Sequence, residues 1–68
     1  MASGGNKPEV YIEFIVQGRL IKVTAIDGAT GLEASVFGPA TAPRAALQHN
    51  ALAKLRYLLK RKRMESSE

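Results

Sequence analysis

The stretch that decides the fold is residues 9–27, EVYIEFIVQGRLIKVTAID. Within residues 9–17 every even-numbered position is apolar, and the odd-numbered positions are polar or amphipathic apart from Ile15. Strict alternation of this kind is typical of a strand with one buried face. Residues 20–27 repeat the alternation with the opposite parity, so they predict a second strand directly after the first.

The dipeptide Gly18-Arg19 separates these two strands. Glycine at the first loop position suits a two-residue type II′ hairpin turn. This turn sets Phe14 opposite Val23, and it likewise sets Ile12 and Val16 opposite apolar odd-numbered residues of the second strand. A slip of one residue would destroy the match, so the register is well specified.

Residues 27–31, DGATG, predict the next turn, because aspartate accepts backbone hydrogen bonds and glycine tolerates the left-handed conformation. Residues 32–37, LEASVF, predict a third strand that ends at Gly38-Pro39. A four-residue loop again pairs apolar with apolar residues. The expected sheet is an antiparallel meander in the order 1-2-3.

Residues 42 to about 61 are rich in alanine, leucine, arginine and lysine, which favour helix. Thr41 is the expected N-cap, and Pro43 falls in the first turn, where its missing N–H costs nothing. The leucines and Ala51 fall within an arc of about 140°, wide enough, we expect, to cover one face of the sheet. The predicted core is Val10, Ile12, Phe14, Val16, Ile21, Val23, Ala25, Ala34, Val36, Leu47, Ala51, Leu55, Leu58 and Leu59.

The predicted fold class is therefore α+β: a three-stranded antiparallel meander with one C-terminal helix packed on one face. We expect a disordered N-terminal tail over residues 1–8, a single β-β-β-α domain over 9–62, and a disordered C-terminal tail over 63–68. The chain has no cysteine and no apolar run long enough to cross a bilayer. Its first residues lack the features of a signal peptide. These features predict a cytoplasmic protein without a membrane span.

The positive charge is concentrated in the helix. Residues 1–43 carry a net charge of −1 and residues 44–68 a net charge of +5, which together give the +4 of the whole chain. Such asymmetry favours an anionic partner, and basic side chains around a tyrosine suit nucleic acid. The candidate nucleic-acid-binding residues are Lys54, Arg56, Tyr57, Lys60, Arg61, Lys62 and Arg63. The alternative is that these cations only complement the helix dipole and keep the domain soluble.

The face of the sheet opposite the helix is unusually apolar. It is expected to carry the candidate protein-interface residues Tyr11, Ile15, Leu20, Ile26 and Phe37. A monomer rarely exposes such a patch, and a symmetric dimer or a larger protein partner would bury it. Alternatively, lysine stems and neighbouring polar side chains dilute the patch into an ordinary surface. A partner strand at either sheet edge is a further option, because neither edge strand looks protected by proline.

The sequence offers no catalytic or metal-binding constellation. His49 is the only histidine, and the pattern places it on the polar side of the helix. Glu13 and Glu33 are separated by the whole second strand, and the open sheet face lacks the cleft that paired-carboxylate catalysis needs. No helix follows DGATG, so a hairpin turn explains its glycines better than a phosphate loop does. We expect no enzyme activity, no cofactor, no metal and no small-molecule substrate.

Residues 26–43, IDGATGLEASVFGPATAP, followed by the alanine- and leucine-rich helix, resemble a family of very short uncharacterised proteins from alphaproteobacteria. The resemblance covers most of residues 10–59 and implies the β-β-β-α architecture and a bacterial source. The matching residues are hairpin glycines, the Gly38-Pro39 break and helix leucines, all of which are architectural. The family has no assigned activity, so the resemblance assigns no functional residue.

A weaker topological resemblance is to the β-β-β-α part of the double-stranded-RNA-binding domain. That family also packs an alanine-rich last helix on a meander. Its first helix has no counterpart here, and its lysine cluster at the start of the last helix is reduced to Arg44. Topology alone does not carry RNA binding over.

These patterns together predict a non-enzymatic module that binds another protein or a second copy of itself through the open sheet face. The alternative prediction is nucleic-acid binding through the basic C-terminal part of the helix.

Overall fold

The computed structural model describes residues 9–66. Three strands are followed by one helix: β1 (Val10–Gln17), β2 (Leu20–Asp27), β3 (Glu33–Pro39) and α1 (Arg44–Ser66). The strands form an antiparallel sheet in the order β1-β2-β3, which confirms the predicted α+β meander. The predicted N-terminal tail and the last two residues of the predicted C-terminal tail lie outside the described residues.

The predicted register of the first hairpin is confirmed. Phe14 lies opposite Val23 and Gln17 lies opposite Leu20. The φ of Gly18 is 61°, whereas no other residue type in the described chain has a positive φ. A positive φ at the first turn position alone is the mark of a type II′ turn, since a type I′ turn needs it at both central positions.

The second turn is held by the side chain of Asp27. Its carboxylate accepts hydrogen bonds from the Thr30 N–H (2.9 Å) and the Thr30 hydroxyl (2.7 Å). Gly31 closes the turn with a φ of 78° and donates its N–H to the Asp27 carbonyl (2.8 Å). As expected, Val23 then lies opposite Val36.

The expected end of β3 before Gly38-Pro39 is wrong, because the strand continues through both residues. The Asp27 N–H donates to the Leu32 carbonyl, so even-numbered residues here direct their backbone groups toward β2. The nitrogen of Pro39, which carries no hydrogen, therefore faces the outer edge of the sheet, where a proline removes no sheet hydrogen bond. The expectation that neither edge carries a proline fails for β3.

The helix begins and ends later than predicted. Pro43 immediately precedes α1, and its carbonyl accepts the first helical bond from the Leu47 N–H (3.4 Å). Thr41 is thus not the N-cap. The helix continues past Arg61 to Ser66, so residues 63–66 of the predicted tail are helical.

The core lies between α1 and the strands β2 and β3. Its fully buried apolar residues are Ile21, Val23, Ala25, Ala34, Leu47, Ala51 and Leu55. Five more predicted core residues are half-buried around them: Ile12, Phe14, Val36, Leu58 and Leu59. Val10 and Val16 were also predicted to be buried, and this is wrong: both are exposed.

The position of the helix explains why the ends of β1 are exposed. The substantial contacts of α1 are with β2 and β3. A helix is about 10 Å across, whereas three strands at about 4.8 Å spacing, with their side chains, are wider. The expectation that one apolar arc covers the whole face is therefore wrong, and the ends of β1 extend beyond the helix.

Helix and sheet approach each other closely at Gly38. A Cβ atom added to this residue would lie 2.7 Å from Cδ2 and 3.1 Å from Cδ1 of the buried Leu47. The absence of a side chain at Gly38 is thus what lets the first turns of α1 settle on β3.

We expect Gly38→Ala to lower the free energy of unfolding by about 1–3 kcal/mol, the usual cost of overpacking a core. Urea denaturation followed by circular dichroism measures it. In a Leu47→Ala background the same substitution should cost much less, because the clashing methyl groups are gone. An equal cost in both backgrounds would show that Leu47 is not the cause.

Candidate interaction surface

The face of the sheet opposite α1, here called the open face, carries the odd-numbered residues of β1 and the side chains paired with them. The register arranges them in cross-strand rows. From the hairpin end, four successive rows are Gln17–Leu20–Pro39, Ile15–Lys22–Phe37, Glu13–Thr24–Ser35 and Tyr11–Ile26–Glu33. All five predicted interface residues therefore share this face.

Three large apolar side chains lie near the hairpin end of the open face. Leu20, Phe37 and Ile15 are all exposed, and Phe37 most of all at 61%. Lys22 lies between Ile15 and Phe37 in the register and is half-buried. Lysine commonly lays its apolar stem along such neighbours and keeps its ammonium in water.

Tyr11 and Ile26 form the other apolar end of the open face. The Tyr11 ring is exposed, and its hydroxyl donates a hydrogen bond to Oε1 of Glu9 (2.7 Å). Ile26 is half-buried on the central strand, so it offers less surface than the prediction assumed. The hydrogen bond from the Tyr11 hydroxyl to Glu9 raises the pKa of Tyr11 above its ordinary value of 10.0, with smaller contributions from the Glu9 charge and from desolvation.

Short side chains occupy the middle of the open face. Thr24 is only 4% exposed although no helix covers it, and its hydroxyl shares a 2.8 Å hydrogen bond with the half-buried Ser35 hydroxyl. The predicted register already set these two residues opposite each other, which was the signal for the pair, but the sequence analysis did not use it. The side chains in the rows on either side of this pair are larger.

The structure divides the predicted nucleic-acid residues between different sides of α1. Lys54 donates a hydrogen bond from Nζ to the Ser35 carbonyl (3.0 Å), so it lies along the outer edge of β3. Arg61 lies on the same side of the helix, over the Tyr57 ring (6.0 Å) and 3.4 Å from Glu65. Arg61 and Lys62 also line an open depression of about 260 Å³ over Leu32 and Leu58.

The remaining basic residues of the set form a stripe along the helix. Arg56, Lys60 and Arg63 are exposed and fall within an arc of about 60° on the helix surface. Lys60 is about 180° from the buried Ala51, so the stripe faces away from the sheet. Tyr57 lies one helical turn from Lys60, so the stripe adjoins the predicted residues on the β3 side of the helix.

Other sequence expectations concern single residues and segments. His49 is exposed, as its place on the polar side of α1 predicts. No three metal-ligating side chains come together among the described residues. Over the same part of the chain, the helix lacks the apolar length needed to cross a membrane.

This architecture defines a two-layer β-β-β-α domain, with a meander covered on one side by a single helix. The chain belongs to the family described as a domain of unknown function, DUF6898, whose model matches residues 7–62. The predicted membership of a small uncharacterised family is thereby confirmed. No curated protein and no solved structure matches the chain.

We expect Glu9→Gln to lower the pKa of Tyr11 toward 10.0, because the carboxylate that favours the neutral phenol is removed. Since the folded state raises this pKa, the contribution to stability is present below pH 10.0 and is lost as the pH rises through the raised value. Phenolate absorbance in a Tyr57→Phe background isolates Tyr11, the other of the two tyrosines. Glu13→Gln is the control, and an equal shift in that variant would contradict the assignment to Glu9.

Proposed function

We propose that this chain is a non-enzymatic docking module that binds another protein through its open face. The observation that carries the proposal is the exposure of Tyr11, Ile15, Leu20 and Phe37 on one side of a sheet that no other described element covers. Exposed apolar groups gathered on one face mark interaction surfaces in proteins. Aromatic side chains at such a patch are the usual anchors of binding energy.

The polar centre of the open face supports the same proposal. Covering a hydroxyl group costs free energy unless it keeps a hydrogen-bond partner. Thr24 and Ser35 bond to each other (2.8 Å), so a partner can cover both without leaving either unsatisfied. The Thr24–Ser35 pair can therefore lose its water at little cost, while the charges of Glu13, Lys22 and Glu33 on the same face can select the partner.

The proposal includes two further predictions, on the location and the source of the protein. A cytoplasmic location agrees with a sequence that contains no cysteine. A bacterial source rests on the resemblance of residues 26–43 and stays a prediction.

We expect Phe37→Lys to abolish capture of a specific protein from nuclease-treated lysate of the native host, because a lysine replaces the most exposed apolar group of the open face. Tyr57→Lys is the matched control, since Tyr57 is 58% exposed but lies on α1. The bound proteins are compared by mass spectrometry. Retention of the same proteins by both variants would refute docking through this face.

A second candidate function is nucleic-acid binding, which the exposed stripe of Arg56, Lys60 and Arg63 favours. Cations one helical turn apart on an open helix face can each neutralise a phosphate and release a counterion. The stripe faces away from the sheet, so binding there is compatible with protein docking on the open face.

For this candidate we expect fluorescence anisotropy to show binding of duplex or single-stranded oligonucleotides that weakens steeply with salt. Neutralising Arg56, Lys60 and Arg63 to glutamine should reduce the slope of log K against log salt by up to about three. Lys22→Gln, on the open face, is the control and should leave the slope unchanged. A wild-type affinity that does not depend on salt would exclude phosphate contact by the stripe.

A further inference from the structure

The two ends of strand β1 are uncovered on the helix side of the sheet, although Ile12 and Phe14 between them are half-buried there. Val10 and Val16 on its helix side are exposed although they are apolar, and Tyr11 and Ile15 are exposed on its other side. We propose that β1 pairs edge to edge with β1 of a second copy of this chain, which gives a two-fold symmetric dimer with one continuous antiparallel sheet. This interface is distinct from the docking face, so either proposal can fail without the other.

The outer edge of β1 offers the backbone groups that such pairing needs. The Gly28 N–H donates to the Glu9 carbonyl (2.7 Å), so the odd-numbered residues direct their backbone groups toward β2. The N–H and C=O groups of the alternate residues, Val10, Ile12, Phe14 and Val16, therefore point outward. No backbone or side-chain hydrogen bond within residues 9–66 engages these groups. An edge of this kind is a ready template for another strand.

The opposite edge of the sheet is less available for pairing than the edge of β1. On β3 the Ser35 carbonyl already accepts the hydrogen bond from Lys54 Nζ (3.0 Å). Pro39 on the same edge has no N–H to donate. Pairing through β1 is therefore favoured, and because it is isologous it closes as a dimer instead of growing into a fibre.

The sequence of β1 can pair with itself in an antiparallel register that keeps its carboxylates apart. With the two-fold axis at Phe14, residues 11–17 of the two copies overlap, and Ile12 of each copy faces Val16 of the other on the helix side. On the open face Glu13 then lies opposite Ile15 of the second copy. A register centred on Glu13 would instead set two carboxylates opposite each other, which is destabilising. The axis at Phe14 separates these charges and keeps the apolar residues of the helix side together.

The helices support this arrangement because the axis is perpendicular to the sheet, which leaves both copies of α1 on the same side. Lys54 marks the side of α1 toward β3, and Leu52 and Leu59 lie about 160° and 140° around the helix from it. They therefore flank β1, and both are half-buried. In the dimer each helix would form one wall of a groove over the paired β1 strands, with Val16 on its floor. The Arg44 guanidinium, 5.3 Å from the centre of the Phe14 ring, would lie near the two-fold axis.

The size of the edge predicts a weak dimer. The seven residues 11–17 that overlap extend about 24 Å at about 3.4 Å per residue. One sheet layer with its side chains is about 10 Å thick. These dimensions give a contact of roughly 240 Å² per copy, or about 500 Å² in total, well below the roughly 1,200 Å² at which stable interfaces begin. We therefore expect association at micromolar or higher concentrations.

Sedimentation of the full chain over a wide concentration range tests the dimer. Val16→Lys should weaken association at least tenfold, because its ammonium would lie against Ile12 of the second copy, whereas in the monomer Val16 is already 53% exposed. Leu20→Lys is the matched control: Leu20 is 52% exposed but lies on the open face, so this variant should dimerise as the wild type does. Circular dichroism verifies that both variants fold.

Amide hydrogen exchange of the wild type gives a second measurement that needs no variant. The N–H groups of Ile12, Phe14 and Val16 should exchange more slowly as the protein concentration rises. A chain that stays monomeric at every concentration would overturn the proposal. So would a dimer that Leu20→Lys weakens and Val16→Lys does not, since that result assigns self-association to the open face.

Discussion

The lateral position of α1 over β2 and β3 is the constraint on which both exposed surfaces depend. The helix follows β3 after only four residues, 40–43, which extend over at most about 14 Å. Gly38 lets its first turns settle against β3, and Lys54 ties its side to the Ser35 carbonyl. A helix held in this way covers β2 and β3 but only the middle of β1, and it leaves the two ends of β1 exposed.

Two different kinds of surface result from this arrangement. The open face combines exposed apolar groups with a hydroxyl pair that is satisfied internally, Thr24 and Ser35, so side chains would carry its binding. The outer edge of β1 presents unpaired backbone groups, so hydrogen bonds would carry its binding. The two are compatible, because pairing at β1 places two open faces side by side and would make the module bivalent.

Most of the fold could be predicted because the apolar alternation of residues 9–27 permits only one register, and every cross-strand pair it implies is present. The errors cluster at prolines. Pro39 was taken as a strand end, although at an outer edge its missing N–H costs nothing. Pro43 was placed inside the first turn, although it precedes the helix and its carbonyl starts the hydrogen-bond ladder. At each proline the outcome depends on which way the backbone around it faces, and a single sequence does not show this.

The sequence by itself determined the strand register, the side of the sheet that receives the helix, and the membership of the open face, because these follow from side-chain periodicity. Only the tertiary structure decided which strands the helix covers. Val16 and Phe14 have the same character and parity in the sequence, yet Val16 is exposed and Phe14 is half-buried. The width of an apolar arc can be read from periodicity, but the lateral position of a helix is set by its connection and by close contacts such as Gly38 with Leu47.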